Sequence, residues 1–264
     1  MALEVGLGGM WVLQALCGVE TLPVALRCPP FIPSRHADLL TGGGAAPISS
    51  TPEYRDLRAC GAVDADGHVD EPISSWLAII GRPDREITLA IRRPGTPPTE
   101  QVMVICRRDR YLAKIARHTD RILLDTVGVS SDPEWQTGLV GAAITAAIGE
   151  YEAADIRAVN IPTGKLQAGR DPAAVLARAA DNPRQAAMLG AATRAAESAL
   201  SVIIVVDHGA TDVIGQRILS IADTRYGRIM FNTGAAADGQ QWLSAQPGTP
   251  TGIAAELGKL LRAA

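Results

Sequence analysis

Aromatic side chains are scarce in this chain: two Phe, four Trp and four Tyr make up 4% of its 264 residues. No series of Phe or Tyr interleaves with Arg, the arrangement on which single-stranded nucleic acid stacks its bases, so that class of partner gains no support. Histidine is equally rare. His36, His68, His118 and His208 never recur at i, i+4 or beside a cysteine, as a zinc site would require. The cysteines are Cys17, Cys28, Cys60 and Cys106, with no Cys-x-x-Cys pair, which suits buried thiols in a reducing compartment better than a disulfide framework. Charge of one sign is not in excess either, since the net charge of -3 offers no general attraction to nucleic acid or anionic membrane. No apolar stretch approaches the roughly 18 residues of a membrane span. Val5 to Val19 mimics a signal peptide but has no basic segment before it and carries Glu4 ahead of it. The expected location is cytoplasmic, without membrane insertion.

What the chain does contain is an internal repeat at a nearly constant offset. Glu86-Ile-Thr-Leu-Ala-Ile91 aligns with Ser201-Val-Ile-Ile-Val-Val206, Gln101-Val-Met-Val-Ile-Cys106 with Gln216-Arg-Ile-Leu-Ser-Ile221, and Arg110-Tyr111 with Arg225-Tyr226. Each copy adds a short apolar run, Arg121 to Asp125 or Gln241 to Ala245, and ends in a helix beginning at Pro133 or Pro250. The period is too long for a solenoid, so two related half-domains side by side fit best. The expected fold is α+β: pseudo-two-fold duplicated halves, about 1-149 and 150-264, share a central antiparallel sheet flanked by helices in a single domain.

Local signals fill in this frame. A short strand at Leu3 to Leu7 leads into a helix ended by Gly18, and Thr21 to Cys28 reads as a second strand. Thr51-Pro52, Asp70-Glu71-Pro72, Asp171-Pro172 and Asn182-Pro183 each carry an N-cap followed by proline, the signature of a helix start. The last of these helices is expected to run to about Ser198. Ile73, Trp76, Leu77 and Ile80 have the spacing of one apolar helix face. Gly149 to Arg170 reads as a weakly patterned crossover. The five apolar residues Val202 to Val206 predict a strand covered on both faces, and the mixed segment Gln216 to Asp223 a strand only half buried.

Motifs for chemistry are incomplete. Asp64-Ala-Asp-Gly67 has its glycine two places early for a calcium loop and reads as a tight turn. Ile161-Pro-Thr-Gly-Lys165 lacks the first glycine and the final hydroxyl of a phosphate loop. Gly6-Leu-Gly-Gly9 lacks the third glycine of the dinucleotide fingerprint. Asp207-His208 ends an apolar strand and is the best enzymatic pair available, yet no nucleophile elbow accompanies it. A small hydrolase using Asp207 and His208 is therefore the alternative to a binding protein that needs no metal and no cofactor.

Several segments, taken in order, resemble the EspG family of cytosolic chaperones of mycobacterial type VII (ESX) secretion. They are Gly9-Met-Trp-Val-Leu-Gln-Ala15, Leu26-Arg-Cys-Pro-Pro30, Gly61 to Val69, Gly81-Arg-Pro-Asp-Arg-Glu86, Tyr226-Gly-Arg-Ile229 and Pro247-Gly-Thr-Pro250. The resemblance implies a non-enzymatic chaperone that binds a PE-PPE heterodimer through the PPE tip and keeps it soluble and export-competent. It further implies contacts from the loop Arg92 to Glu100, with Gly95, Thr96, Pro97 and Pro98 at its tip. From the sheet it implies Gln216, Ile218 and Ser220, and from the second-half helices Met188 and Leu189. Both monomer and homodimer are compatible with the sequence.

Overall fold

The structure is a computed structural model and describes residues 2–29, 48–95, 99–168, 171–208, 217–236 and 239–262. The first run of elements is β1 (Ala2–Gly6), α1 (Leu7–Cys17), α2 (Pro52–Ala59), α3 (Glu71–Gly81), β2 (Arg85–Arg93), β3 (Thr99–Arg108), β4 (Tyr111–His118), β5 (Arg121–Val129) and α4 (Pro133–Ile148). The second is β6 (Val159–Pro162), α5 (Thr163–Ala168), α6 (Pro172–Arg178), α7 (Pro183–Thr193), β7 (Ser198–Asp207), β8 (Arg217–Thr224), β9 (Gly227–Ala235), β10 (Gln241–Pro247) and α8 (Pro250–Arg262). Among the described residues both runs read strand, three α-helices, four strands, α-helix. The sheet order β1-β5-β4-β3-β2-β7-β8-β9-β10-β6 reads alike from either end once each strand is exchanged for its repeat counterpart. The α+β class and the duplicated antiparallel sheet expected from the sequence are thus present.

The repeated Arg-Tyr dipeptide does the same physical work in both copies. The Arg110 guanidinium lies 5.1 Å from the centre of the Tyr111 ring, and that of Arg225 lies 4.8 Å from the Tyr226 ring. Each Nη2 donates to the adjacent phenol oxygen, at 2.9 and 2.7 Å respectively. A cation held over a ring face in this way is attracted by the ring's electron density.

Three expectations about the course of the chain need correction. Thr21 to Cys28 is not a strand but contains a 3-10 turn at Val24–Leu26, where Pro23 cannot donate to a ladder and Arg27 takes φ 48. The supposed crossover 149–170 holds β6 and α5. Helix α7 stops at Thr193, because Ser198 already belongs to β7, where its hydroxyl donates to the Ala192 and Arg194 carbonyls.

The chain forms two compact units. One comprises Met1–Glu86, Val102–Asp132 and Asp207–Gly209, the other Ile87–Gln101, Pro133–Val206 and Ala210–Ala264. In the first unit Leu3 and Val5 of β1 pair beside Leu124 and Ile122 of β5, and Ile115 of β4 lies opposite Leu124. Helix α3 packs against these strands with Ile73, Trp76, Leu77 and Ile80 buried, the face its spacing predicts. Thr51 caps α2 as expected: its Oγ accepts from the Tyr54 amide at 3.2 Å. Asp64 closes the turn that follows, accepting from the amides of His68 and Asp66, and the His68 amide in particular holds its carboxyl below the usual range. Asp64, Asp66 and His68 are all exposed.

Cys106, on β3, is fully buried, and burial together with the charge of Glu86 pushes its thiol far up. Burial also raises Cys17 and Cys28, whereas Cys60 is exposed. A pulse of iodoacetamide at pH 8, read by mass spectrometry, should therefore label Cys60 first and leave Cys106 unlabelled until the chain is unfolded. Early labelling of Cys106 would contradict this packing.

In the second unit the start of β9 anchors the segment after α4. Arg228 is 4% exposed, and its guanidinium binds both oxygens of Asp223, at 2.5 and 2.8 Å, and the carbonyls of Gly149 and Ile148 at 3.0 and 3.3 Å. Its amide donates to the Glu152 carbonyl and its carbonyl accepts from the amides of Ala154 and Gly248. One side chain thereby satisfies the last carbonyl of α4 and the one that follows it. Gly227 has φ 113, and a Cβ there would meet the Ala154 backbone at 2.7 Å, so only glycine admits so close a passage. No helix among the described residues is long and apolar enough to cross a membrane.

Candidate functional site

The two faces of the second-unit sheet are covered unequally. Strand pairing places Ser201 opposite Ile221 and Ile203 opposite Leu219, and these residues are buried. Helix α8 covers that side, where Glu256 accepts a 2.7 Å hydrogen bond from Asn232. Among the described residues the helices of this unit cover the other face at one end only. There Leu176 of α6 and Met188, Leu189 and Ala192 of α7 pack on Ala222, Ile229, Phe231 and Ala245.

Beyond this helical cover the same face continues as Val202, Ile204 and Val206 of β7 with Ser220 and Ile218 of β8. The register sets Val202 against Ser220 and Ile204 against Ile218. All but Val206 are half-buried, and Val206 is 38% exposed. This corrects the expectation that Val202 to Val206 is covered on both sides. The run is apolar on both faces, yet only the Ile203 and Val205 face is fully enclosed. An apolar strip left half open beside a helical wall is chemically suited to another apolar surface and to little else.

The residues singled out from the sequence fall in different places. Ile218 and Ser220 lie on the strip. Met188 and Leu189 are 2% and 0% exposed and belong to the core beneath the helical cover. Gly95 is exposed just after β2. Thr96, Pro97, Pro98 and Gln216 lie outside the described residues. Val202, Ile204 and Val206 also lie on the strip, although a continuous apolar run reads as core. Asp207 and His208 are engaged structurally: Asp207 pairs with Arg85, and His208 Nε2 lies 3.1 Å from Glu86 while its amide donates to the Asp84 carbonyl.

The EspG family model matches residues 7–259, nearly the whole chain. The chain belongs to the EspG family. Among its relatives is the ESX-2 secretion-associated protein EspG2 of Mycobacterium tuberculosis, 27% identical over 264 residues that cover 96% of this chain and 92% of the relative. The ESX-5 secretion-associated protein EspG5 of Mycobacterium marinum is 25% identical over 279 residues, covering 94% and 89%. The fold also matches the solved structure of the Mycobacterium tuberculosis type VII secretion system chaperone EspG5 in complex with a PE25-PPE41 dimer. The TM-score is 0.70 at 22% identity, with 99% of this chain and 96% of that chain covered. At that identity the likeness establishes a shared EspG fold.

Proposed function

We propose that this chain is a non-enzymatic, ESX-specific secretion chaperone that binds a cognate PE-PPE heterodimer in the cytosol and keeps it soluble and export-competent. Its two related halves act as one domain. The observation that carries this reading is the half-open apolar strip of β7 and β8 on a chain that belongs to the EspG family along nearly its whole length. Val202, Ile204, Val206, Ile218 and Ser220 form the contact, assisted by the loop that includes Gly95, Thr96, Pro97 and Pro98. An apolar helical tip would aggregate if left in water and is protected when laid on such a strip. No cofactor enters this reading, because stoichiometric covering of a surface involves no bond making.

Co-expression with PE-PPE pairs encoded beside related secretion systems, followed by affinity capture and size-exclusion chromatography, tests the proposal. A stable complex of three chains with one pair and not others is the expected result, since selectivity is a difference between affinities for similar partners. A folded, monodisperse chain that captured no pair would overturn it.

A further inference from the structure

The half-open face does not end at β7, because β2 lies beside that strand in the sheet. Arg85 at the start of β2 pairs with Asp207 at the end of β7, and Glu86 lies 3.1 Å from His208. Each of these pairs therefore shares one side of the sheet. Side chains alternate along a strand, so Ile87, Leu89 and Ile91 follow Arg85 onto the face of Ile203 and Val205. All five are buried. By the same alternation Thr88, Ala90 and Arg92 follow Glu86 onto the face of Val202, Ile204 and Val206, and all three are half-buried.

These three residues extend the apolar strip, and Arg92 brings a charge to it. No hydrogen bond or ion pair joins the Arg92 guanidinium to any of the described residues. Arg85, Arg107 and Arg228, which are also drawn in from solvent, each hold a carboxylate. A cation that has lost part of its hydration without gaining a counter-charge is held at a cost, and that cost is recovered when an anion arrives from outside. The planar fork of a guanidinium fits a carboxylate through two parallel hydrogen bonds.

We propose that Arg92 is a specificity-determining residue of the strip, taking an aspartate or glutamate that the partner carries beside the apolar side chains laid on Val202 and Ile204. The inference rests on the chaperone reading and adds the chemistry of the partner to it. A tip with an acidic flank is accepted, and one with a basic side chain at that place is rejected by like charge.

The test uses the full chain and the PE-PPE pair that it captures. Arg92→Met keeps the apolar stem but not the charge, and it should weaken binding by roughly thirtyfold. Arg92→Lys keeps the charge without the fork and should weaken it by about threefold. Raising the ionic strength from about 50 mM to about 500 mM should weaken the parent complex more steeply than the Arg92→Met complex, since screening acts on the charge pair alone. The melting temperature of the free chain should not fall in Arg92→Met, because no bond is lost and a partly buried charge is removed.

Parental affinity in Arg92→Met, or equal salt dependence of the two complexes, would overturn the proposal. So would a melting temperature lowered by more than about 3 °C, which would make the cation a part of the fold. Failure of the chaperone reading looks different: the parent chain then captures no pair at all, and this inference falls with it. Failure of this inference alone leaves capture intact and the Arg92 variants equal to the parent.

Discussion

Replacing Arg228 with methionine is expected to be the most damaging single change in the chain. The substitution preserves bulk but removes the cation from a site only 4% exposed, leaving the Asp223 carboxylate and the Ile148 and Gly149 carbonyls without their donors. Breaking a buried pair from one side typically costs roughly 3 to 5 kcal/mol. For a chain of this size that corresponds to a fall in melting temperature on the order of 10 °C. Arg228→Lys should fall between the two, because an ammonium supplies the charge without the planar fork that serves four acceptors at once. Calorimetry that placed Arg228→Met within about 2 °C of the parent would show that the anchor at the start of β9 is dispensable. Gly248→Ala should act in the same direction, since its new methyl group would collide with the Arg228 side chain.

The second large effect is on partner binding. Ser220→Arg sets a long cation on the half-open strip opposite Val202, and Ile204→Asp puts a carboxylate opposite Ile218. Desolvating either charge against an apolar tip should weaken PE-PPE binding by about a hundredfold, near 3 kcal/mol. The three-chain complex would then be lost on size-exclusion chromatography. Ser220→Arg is the cleaner variant, because arginine can lift its charged head into solvent and leave the free chain's stability almost unchanged. If both variants captured the cognate pair with parental affinity, the contact would have to lie elsewhere on the chain.

Much of this architecture was readable without coordinates because the repeat imposes itself on the sequence. The aligned segments at 86 and 201, 101 and 216, and 110 and 225 fall on β2 and β7, β3 and β8, and the two hairpin turns. Most of the capping chemistry was equally legible: Asp171 accepts from the Ala173 amide and Asn182 from the Gln185 amide, whereas Asp70 precedes α3 without a side-chain cap bond. Strand β6 leaves no such signal, because it is four residues long and ends in proline, too short for alternation to register.

The candidate site was less legible for a different reason. Leucine and methionine at 189 and 188 look the same in sequence whether they face a core or a partner, and here they face the core. Val202, Ile204 and Val206 look like core and lie instead on the half-open face. Only the number of elements that cover a face separates the two cases, and that is a tertiary property.

The pairing of each half's first strand with its last carries a consequence for folding kinetics. Ala2 bonds opposite Asp125, and Trp242 opposite Pro162, so neither edge of the sheet can form until a whole half has been synthesised. Contacts so distant along the chain close late, after their loop entropy has been overcome, and sheets built from them fold slowly. During synthesis β1 must therefore wait, unpaired, through three helices and three strands before β5 leaves the ribosome. An amino-terminal segment left unpaired for so long is where a nascent chain of this topology is most open to aggregation.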